Sequence, residues 1–560
     1  MKWERAMKDL EKDSEFEKPP VVVENTGGLL SNTPWWLVSV GIHMVLLLAA
    51  TLIAIEQLHA LSSPEPEVRL RPVVPSEQIF DKIEAPPGAV DRKGPVIDDP
   101  DTSSNPLPDV FVPDAKFSDH YESPDNEDYH QMKGDSKDFL SRNPGDAGGY
   151  KGKQLSKNPG VYDAMGVGLG GGGGGKYGGK FGGRDLLKPR PLGATKGTEG
   201  AVLSALKWLA RHQGPDGGWG AESFHRQCVG GACGGVGDSS FDTGVTSLAV
   251  LAFLGAGYTP ITKKEFPDPM DPQRTLHFGE VVKKGLQWLL AHQDPEGCVG
   301  ERGTKYMYNH AIAALTLSEA YGMTANQLLH EPAQKAIDFL VASQNPGKGW
   351  RYSMKCGDSD SSVTGWAVMA LKSAELSELT FPKKPCFDGA LNWLNEATAT
   401  NGYYRTGYIS KEDGKVYVPG KNEMWDDHPA LSAVSVMSRI FIQKDKREPA
   451  LTAVTLLASD LPAWRQNKVD FYYWYYASLA LFQYDGPEGP MWKKWNEPMV
   501  NAIVPHQKGK ADACRLGSWD PQDDRWGFEG GRVYAAAINA LTLEVYYRYE
   551  NVFGVAQKKQ

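Results

Sequence analysis

The sequence predicts an all-α chain. An array of helical hairpins fills its second two-thirds, behind one apolar segment and a long polar linker. Three observations carry this reading. A motif of aromatic-Leu, three residues, Gln, three residues, Gly, one residue and Trp recurs at intervals of tens of residues. A second, more apolar helical pattern follows each copy. Between the apolar segment and the first copy the chain is rich in Pro, acids and Gly, a composition that buries too little apolar area to offset chain entropy.

Residues 1–34 are polar and carry both charge signs, with Lys2, Arg5, Lys8, Lys12 and Lys18 against more acids. They form a tail rather than a secretory signal, because the charged region is too long and no small-residue cleavage site follows the apolar core. Residues 35–56 are long and apolar enough for a single transmembrane helix, which needs about 20 residues. Trp35 and Trp36 suit the headgroup belt, and His43 is the one ionisable group inside the span. Positive residues flank the span thinly, and the N-terminal lysines favour a cytoplasmic N-terminus. The expected location is the inner membrane, single-pass, with the helical domain in the periplasm.

Residues 57–195 form the linker. Its first part is Pro-rich and acidic, with Pro64, Pro66, Pro72, Pro75, Pro86 and Pro87; its second part is Gly-rich, from Gly166 to Arg184. The GxG spacings there lack the preceding strand and following helix that a phosphate loop requires, so they read as a flexible tether.

Residues 196–555 carry the repeats. The clearest copy is Trp208-Leu209, Gln213, Gly217 and Trp219. Trp288-Leu289 leads to Gln293, Gly297 and Val299; Phe339-Leu340 leads to Gln344 and Trp350 with the glycine displaced by one. Trp393-Leu394 leads to Thr398, Gly402 and Tyr404, and a stretched copy runs from Gln507 to Gly517 and Trp519. The aromatic-Leu pair ends an amphipathic helix, the Pro/Asp/Gly cluster stops it, and the Trp packs back over the turn. The second helices begin near Asp242, Tyr308, Asp360, Asp427, Asp470 and Arg532, which makes about six pairs that must stack to bury their apolar faces. The fifth pair, near Leu456 to Tyr476, is degenerate.

This pattern resembles the QW repeat of squalene and terpene cyclases and protein prenyltransferase beta subunits. The resemblance implies an α/α toroid of about six hairpins, with the apolar helices as an inner ring whose N-terminal ends surround a cavity. It implies Asp242, His310, Asp427, His428, Tyr472 and Trp474 as cavity-lining residues. Similarly, Ser39-Val40-Gly41-Ile42-His43 resembles the Ser-x3-His anchor of TonB-type energy transducers, which implies contact of Ser39 and His43 with a proton-driven membrane motor complex.

Chemistry is less clearly written. In the cyclases an Asp-x-Asp-Asp motif protonates an alkene; here Asp358-Ser359-Asp360-Ser361 keeps two of the three acids, and Asp360 sits where an N-cap belongs. Asp360 and Asp358 are the catalytic candidates. No Asp-x-Cys of the prenyltransferase zinc site occurs on an inner helix, and Gly297-Cys298-Val299-Gly300-Glu301 lacks the glutamine that a thioester of the complement type needs. No cofactor is expected; zinc at His310, Asp427 and His428 is the alternative. Cys228 and Cys233 read as two loop thiols or a local disulfide, and with His225 they sketch half of a zinc site, but no CxxC is present to complete one. Trp350, Arg351, Tyr352, Tyr403, Tyr404, Arg405, Trp526 and Arg532 would suit sugar stacking and carboxylate binding in a carbohydrate-active toroid. A net charge of −9 without a basic stripe excludes a nucleic-acid partner. A single toroid offers an apolar substrate no second domain to close over it. The expected function is therefore a membrane-anchored, non-catalytic toroid that binds a ligand or partner at its cavity. An isoprenoid cyclase- or prenyltransferase-like enzyme is the alternative, and a carbohydrate-active toroid the second alternative.

Overall fold

The structure, a computed structural model, describes residues 194–229, 231–324, 326–444 and 446–548, with Met44 and the strand Arg69–Arg71 before them. The expected tail, the membrane span with Ser39 and His43, and nearly all of the linker lie outside the described residues; Met44 is helical. No helix among the described residues is long and apolar enough to cross a membrane.

Six helices are apolar on nearly every side: α2 (Asp242–Gly255), α4 (Tyr306–Thr324), α6 (Ser361–Leu376), α8 (Ala430–Gln443), α10 (Phe471–Asp485) and α12 (Gly527–Leu543). A helix with no polar face must be covered all round. These six are covered by one another, each packing on the next and α12 packing back on α2, which closes an inner ring. The alternating helices are α1 (Lys196–Arg211), α3 (Phe278–Ala291), α5 (Gln327–Ser343), α7 (Lys383–Glu396), α9 (Ala450–Leu457) and α11 (Pro490–Ile503). They lie outside it, on α12, α2, α4, α6, α8 and α10 respectively. In α3 the buried positions Phe278, Val281, Val282, Gly285, Leu286 and Leu289 mark the single stripe that an outer helix needs. A short α13 (Val545–Arg548) follows the ring. The chain is an α/α toroid of six hairpins, and the degenerate fifth pair is visible as α9, only 8 residues long.

The repeated motif is the fastener of the outer ring. Gln213 Nε2 donates to the carbonyl of Gly217 in its own turn (2.8 Å) and to that of Val281 in the next outer helix (2.9 Å). Gln293 joins Gly297 to Pro332, and Gln344 joins Lys348 to Cys386 in the same way. Gln507 joins Gly517 to Ala201 of α1, so the last copy closes the ring onto the first helix. The motif Trp then donates its indole N–H back to the preceding outer helix: Trp219 to Leu209, Trp350 to Leu340 and Trp519 to Ile503, at 2.7–2.8 Å. The motif glycine is required for a steric reason. Gly297 has φ +100°, and a Cβ there would sit 2.2 Å from the Lys335 carbonyl oxygen.

Among the described residues, two small sheets flank the ring helices. β2 (Glu265–Asp268) and β3 (Asp271–His277) form a hairpin between α2 and α3. β1 (Arg69–Arg71), inside the segment read as an extended or disordered linker, pairs antiparallel with β4 (Lys415–Tyr417). Backbone pairing to an exposed edge asks little of sequence, so a polar linker can supply such a strand.

Candidate functional site at the N-terminal ends of the inner helices

All six inner helices start around one cavity of about 180 Å³. Phe241, the residue before α2, and Gly244, Val245 and Leu248 of α2 face it, with Tyr308 and Ile312 from α4, and Ser362 and Trp366 from α6. Leu431, Tyr472 and Tyr534 continue the wall on α8, α10 and α12, and the loops 405–418 and 525–530 form its rim. Helix N-termini converge here because each hairpin enters its inner helix from the same end, which leaves a ring of unsatisfied N–H groups that caps must answer. Asp360 caps α6 by accepting from Val363 N (2.7 Å), and Asp470 caps α10 by accepting from Tyr473 N (2.8 Å).

The wall is aromatic; some of its hydroxyls are paired, while the buried Tyr534 Oη has no hydrogen-bond partner among the described residues. Tyr472 Oη lies 2.5 Å from Ser362 Oγ, and Tyr352 is hydrogen-bonded to Tyr408. Burial pushes the phenols of Tyr308, Tyr408 and Tyr534 well above the ordinary tyrosine value, and that of Tyr352 likewise, so all remain neutral hydroxyls. Three basic groups at the rim are ion-paired, while Asp413 is held by Ile409 N and Ser410 instead. Arg405 meets Asp427, Lys305 Nζ lies 3.1 Å from Glu529, and Arg525 Nη1 lies 3.6 Å from Asp470. Behind Arg525 the fully buried Asp524 accepts from Phe471 N and Trp526 N; burial first, then the neighbouring Asp470 carboxylate, pushes its carboxyl well above the usual range.

The candidate residues fall in several places. Asp427, His428 and Tyr472 line the cavity. Trp474 does not: two residues on from Tyr472 it points to the opposite side of the helix, into the core against Phe471 and Trp464. Asp242 is also not on the wall; its Oδ1 accepts from Ala221 N (2.7 Å) and holds the preceding loop, and burial first of all raises its carboxyl to about 6. His310 faces the outer ring. Its Nδ1 accepts from Val299 N (3.1 Å) and its Nε2 donates to the Ala336 carbonyl (3.1 Å), so both nitrogens are committed and burial drops its pKa to about 4. His428 is committed too. Burial lowers its pKa, but the hydrogen bond to Asp460 (Nδ1 to Oδ2, 2.6 Å) and that carboxylate's charge outweigh burial and raise it, while Nε2 donates to the Lys468 carbonyl. The trio His310, Asp427 and His428 therefore offers no free imidazole nitrogen to a metal.

Asp358 is exposed, with Arg351 Nη1 3.6 Å away, whereas Asp360 is fully buried and not part of the cavity wall. Burial pushes the Asp360 carboxyl up to about 7, and its Oδ2 has no hydrogen-bond partner. Trp350 is core, and Arg532 is tied to Gly234, Ser518, Trp519 and Asp520. Cys228 and Cys233 are free thiols, not a disulfide. With His212 and Cys514 they form a group whose ligand atoms all lie within 4.8 Å of one another. Sequence reasoning paired the two loop cysteines with His225, whose Nδ1 instead bonds the Glu222 carbonyl. It missed His212, hidden inside the first motif copy, and Cys514, hidden in the stretched last one.

Residues 273–413 match the family model described as the squalene-hopene cyclase C-terminal domain. No curated protein matches the chain. Among solved structures, an inactive variant of an alpha-1,6-mannanase of Salegentibacter sp. HEL1_6 in complex with alpha-1,6-mannotriose aligns at 9% identity, over 62% of this chain and 98% of that one, with a TM-score of 0.39. The type II terpene cyclase MstE from Scytonema aligns at 14% identity over 63% and 97%, TM-score 0.38. An alpha-amylase from Clostridium perfringens aligns at 9% over 64% and 100%, TM-score 0.40. The closed inner ring and the family match together describe a squalene-cyclase-like toroid.

Proposed function

We propose that this chain is a membrane-tethered binding protein whose toroid holds a largely apolar ligand in the cavity at the inner-helix N-termini. One observation carries the reading: the wall is aromatic and aliphatic, the basic rim groups Lys305, Arg405 and Arg525 are ion-paired, and the acid Asp360 is absent from the wall. Such a surface gains from burying apolar area and orients a ligand through neutral tyrosine hydroxyls. The apolar run 35–56 anchors the chain in the inner membrane, the linker 57–195 is the tether, and Ser39 and His43 contact a proton-driven motor complex. The toroid is then periplasmic.

The test is mass spectrometry of small molecules that co-purify with the full-length chain, beside the variant Ile312→Trp, which fills the cavity. An apolar compound held by the wild type and lost from a folded Ile312→Trp protein is the expected result. A stable, empty cavity in material taken directly from native membranes would overturn it.

The enzyme reading is second, and one observation favours it. Asp360 is a buried carboxylic acid raised to about 7 in the segment that resembles the cyclase acid motif. An acid of that kind can donate a proton at neutral pH. Cyclisation of a polyprenyl substrate by the wild type, abolished in Asp360→Asn with ligand binding intact, would decide for it.

A further inference from the structure

The first and last hairpins meet at a seam that contains a cluster unrelated to the cavity. His212 is the C-cap of α1. Cys228 follows the 3-10 turn Phe224–Gln227, Cys233 lies five residues on, and Cys514 is in the last motif copy. The His212 Nε2 atom is 3.3 Å from Cys233 Sγ, 3.3 Å from Cys514 Sγ and 3.6 Å from Cys228 Sγ. A tetrahedral zinc with bonds of about 2.0–2.3 Å separates a nitrogen from a sulfur ligand by about 3.6 Å, so these spacings are edges of one coordination tetrahedron.

The surroundings are those of a ligand set. His212 Nδ1 lies 2.8 Å from the Trp208 carbonyl, which can only accept, so Nδ1 carries the proton and Nε2 turns its lone pair to the thiols. The ring is held by stacking on Trp208 (centroids 4.2 Å apart) and by the edge of Phe224. Two backbone amides donate to sulfur, Val229 N to Cys514 (3.4 Å) and Cys233 N to Cys228 (3.3 Å), as suits thiolate rather than thiol. Arg211, buried and 3.8 Å from Asp268, donates to the carbonyls of Cys514 and Leu516 and so fixes the backbone that presents the Cys514 thiol.

The last motif copy gives an independent reason. Its Gln-to-Gly interval is ten residues instead of four, and the extra residues hold Cys514. The preceding Ala513 sits at φ 51°, ψ −125°, a conformation costly for a residue with a Cβ. An insertion and a strained backbone therefore both deliver this thiol to the seam.

We propose that His212, Cys228, Cys233 and Cys514 bind a structural zinc ion that clasps the first hairpin to the last and fixes the closure of the ring. On binding, each thiol releases its proton to solvent and the imidazole enters neutral, which leaves four protein ligands and no open position. The clasp adds to the Gln507 bridge at the same seam, and it anchors the Gly-rich loop that Arg532 holds from α12 through Gly234 and Gly235.

The experiment uses the purified full-length chain. Elemental analysis should find about one zinc per chain. Cobalt replacement should give the thiolate charge-transfer and intense visible bands of a tetrahedral sulfur-rich site. Cys514→Ser and His212→Gln should each lose most of the metal, while Cys386→Ser, a buried thiol elsewhere in the ring, keeps it. Chelation should lower the wild-type Tm and leave that of Cys514→Ser unchanged. If the variants do not fold, the wild type still decides: zinc should shield Cys228 from iodoacetamide, and chelation should expose it. A folded wild type that takes up no zinc or cobalt overturns the proposal, as does a Cys228–Cys233 disulfide in peptide maps of the native protein, or zinc retained by both variants.

Discussion

The two halves of the ring are fastened differently. From α1 to α7, and again at the seam, neutral glutamines tie each turn to the next outer helix. Between α7 and α10 the glutamine is gone. Thr398 bonds the Leu394 carbonyl and Thr406 and accepts from Arg439 of α8 (3.4 Å), but reaches no neighbouring outer helix, and the connecting loops are held by charge instead: Arg405 to Asp427, and Asp460 to both His428 and Lys468. The cavity rim is drawn largely from this second half. Strict repetition builds the frame, and the break in repetition frees loop for the rim, in line with function residing on loops carried by a rigid scaffold. The two halves should therefore respond differently to backbone change, to pH and to salt.

The largest difference should come from the motif glycines. Alanine at Gly297 meets both a left-handed φ and a backbone oxygen that cannot move aside. Gly402, in the copy without glutamine, has φ +59°, and an added methyl group there would find nothing within 4 Å. Gly297→Ala should cost about 3 kcal/mol or more, and Gly402→Ala about 1 kcal/mol, read from urea midpoints. Equal losses would mean that the fourth turn is as tightly docked as the second.

Two histidines give opposite pH signatures. His310 belongs to the neutral half, and its folded pKa of about 4 lies below the ordinary 6.5. Its contribution is fully present above 6.5 and fades as pH falls toward 4, by on the order of 3 kcal/mol. His428 belongs to the charged half, and its folded pKa is raised. Its contribution is fully present below 6.5 and is lost as pH rises through the folded value. Asp460, lowered mainly against burial by His428, adds stability that is present above 3.8 and lost as pH falls through its own folded value. The stability gap between wild type and His310→Gln should therefore widen as pH rises from about 4.5 to about 7, and the gap for His428→Gln should narrow as pH rises above 6.5. Parallel curves would remove the distinction between the halves.

Smaller effects should follow from the bridges themselves. Gln293→Leu and Gln507→Leu each leave two carbonyls short of a donor and should cost about 1–3 kcal/mol, whereas Thr398→Val, which frees no neighbouring outer helix and releases Thr406, the Leu394 carbonyl of its own turn and the weak contact from Arg439, should cost about 1 kcal/mol. The same denaturation series reads all three.

The frame was legible because periodicity and turn chemistry agree. Aromatic-Leu, Gln, Gly and Trp each have one job in the turn, and their spacing survives at four places in the sequence. The start of α6 at Asp360 was legible for the same reason, since a cap is a local signal. The cavity was less so. Which side of α10 faces inward depends on tertiary rotation, and Tyr472 and Trp474 cannot be told apart by composition. His310 looked like a ligand on an inner helix because sequence does not show that the Val299 N–H and the Ala336 carbonyl consume both nitrogens. The thiol cluster was the least legible, because Cys514 stands 281 residues after Cys233 and joins it only when the ring closes.

The smallest effect tests the boundary between the halves. Lys348 Nζ lies 2.7 Å from Glu396, and so links the third turn to α7 by charge alone, but both side chains are about half exposed. Solvent screening and side-chain entropy leave such a pair with about 0.5 kcal/mol or less. Lys348→Ala should barely move the urea midpoint, because the same turn is already fixed by Gln344 through the Lys348 carbonyl, which alanine keeps. A double-mutant cycle with Glu396→Ala at low and high salt separates the cases. Coupling near zero leaves the neutral bridge as the fastener of this turn. Coupling above about 1 kcal/mol that vanishes in salt would extend the charged half one hairpin further round the ring.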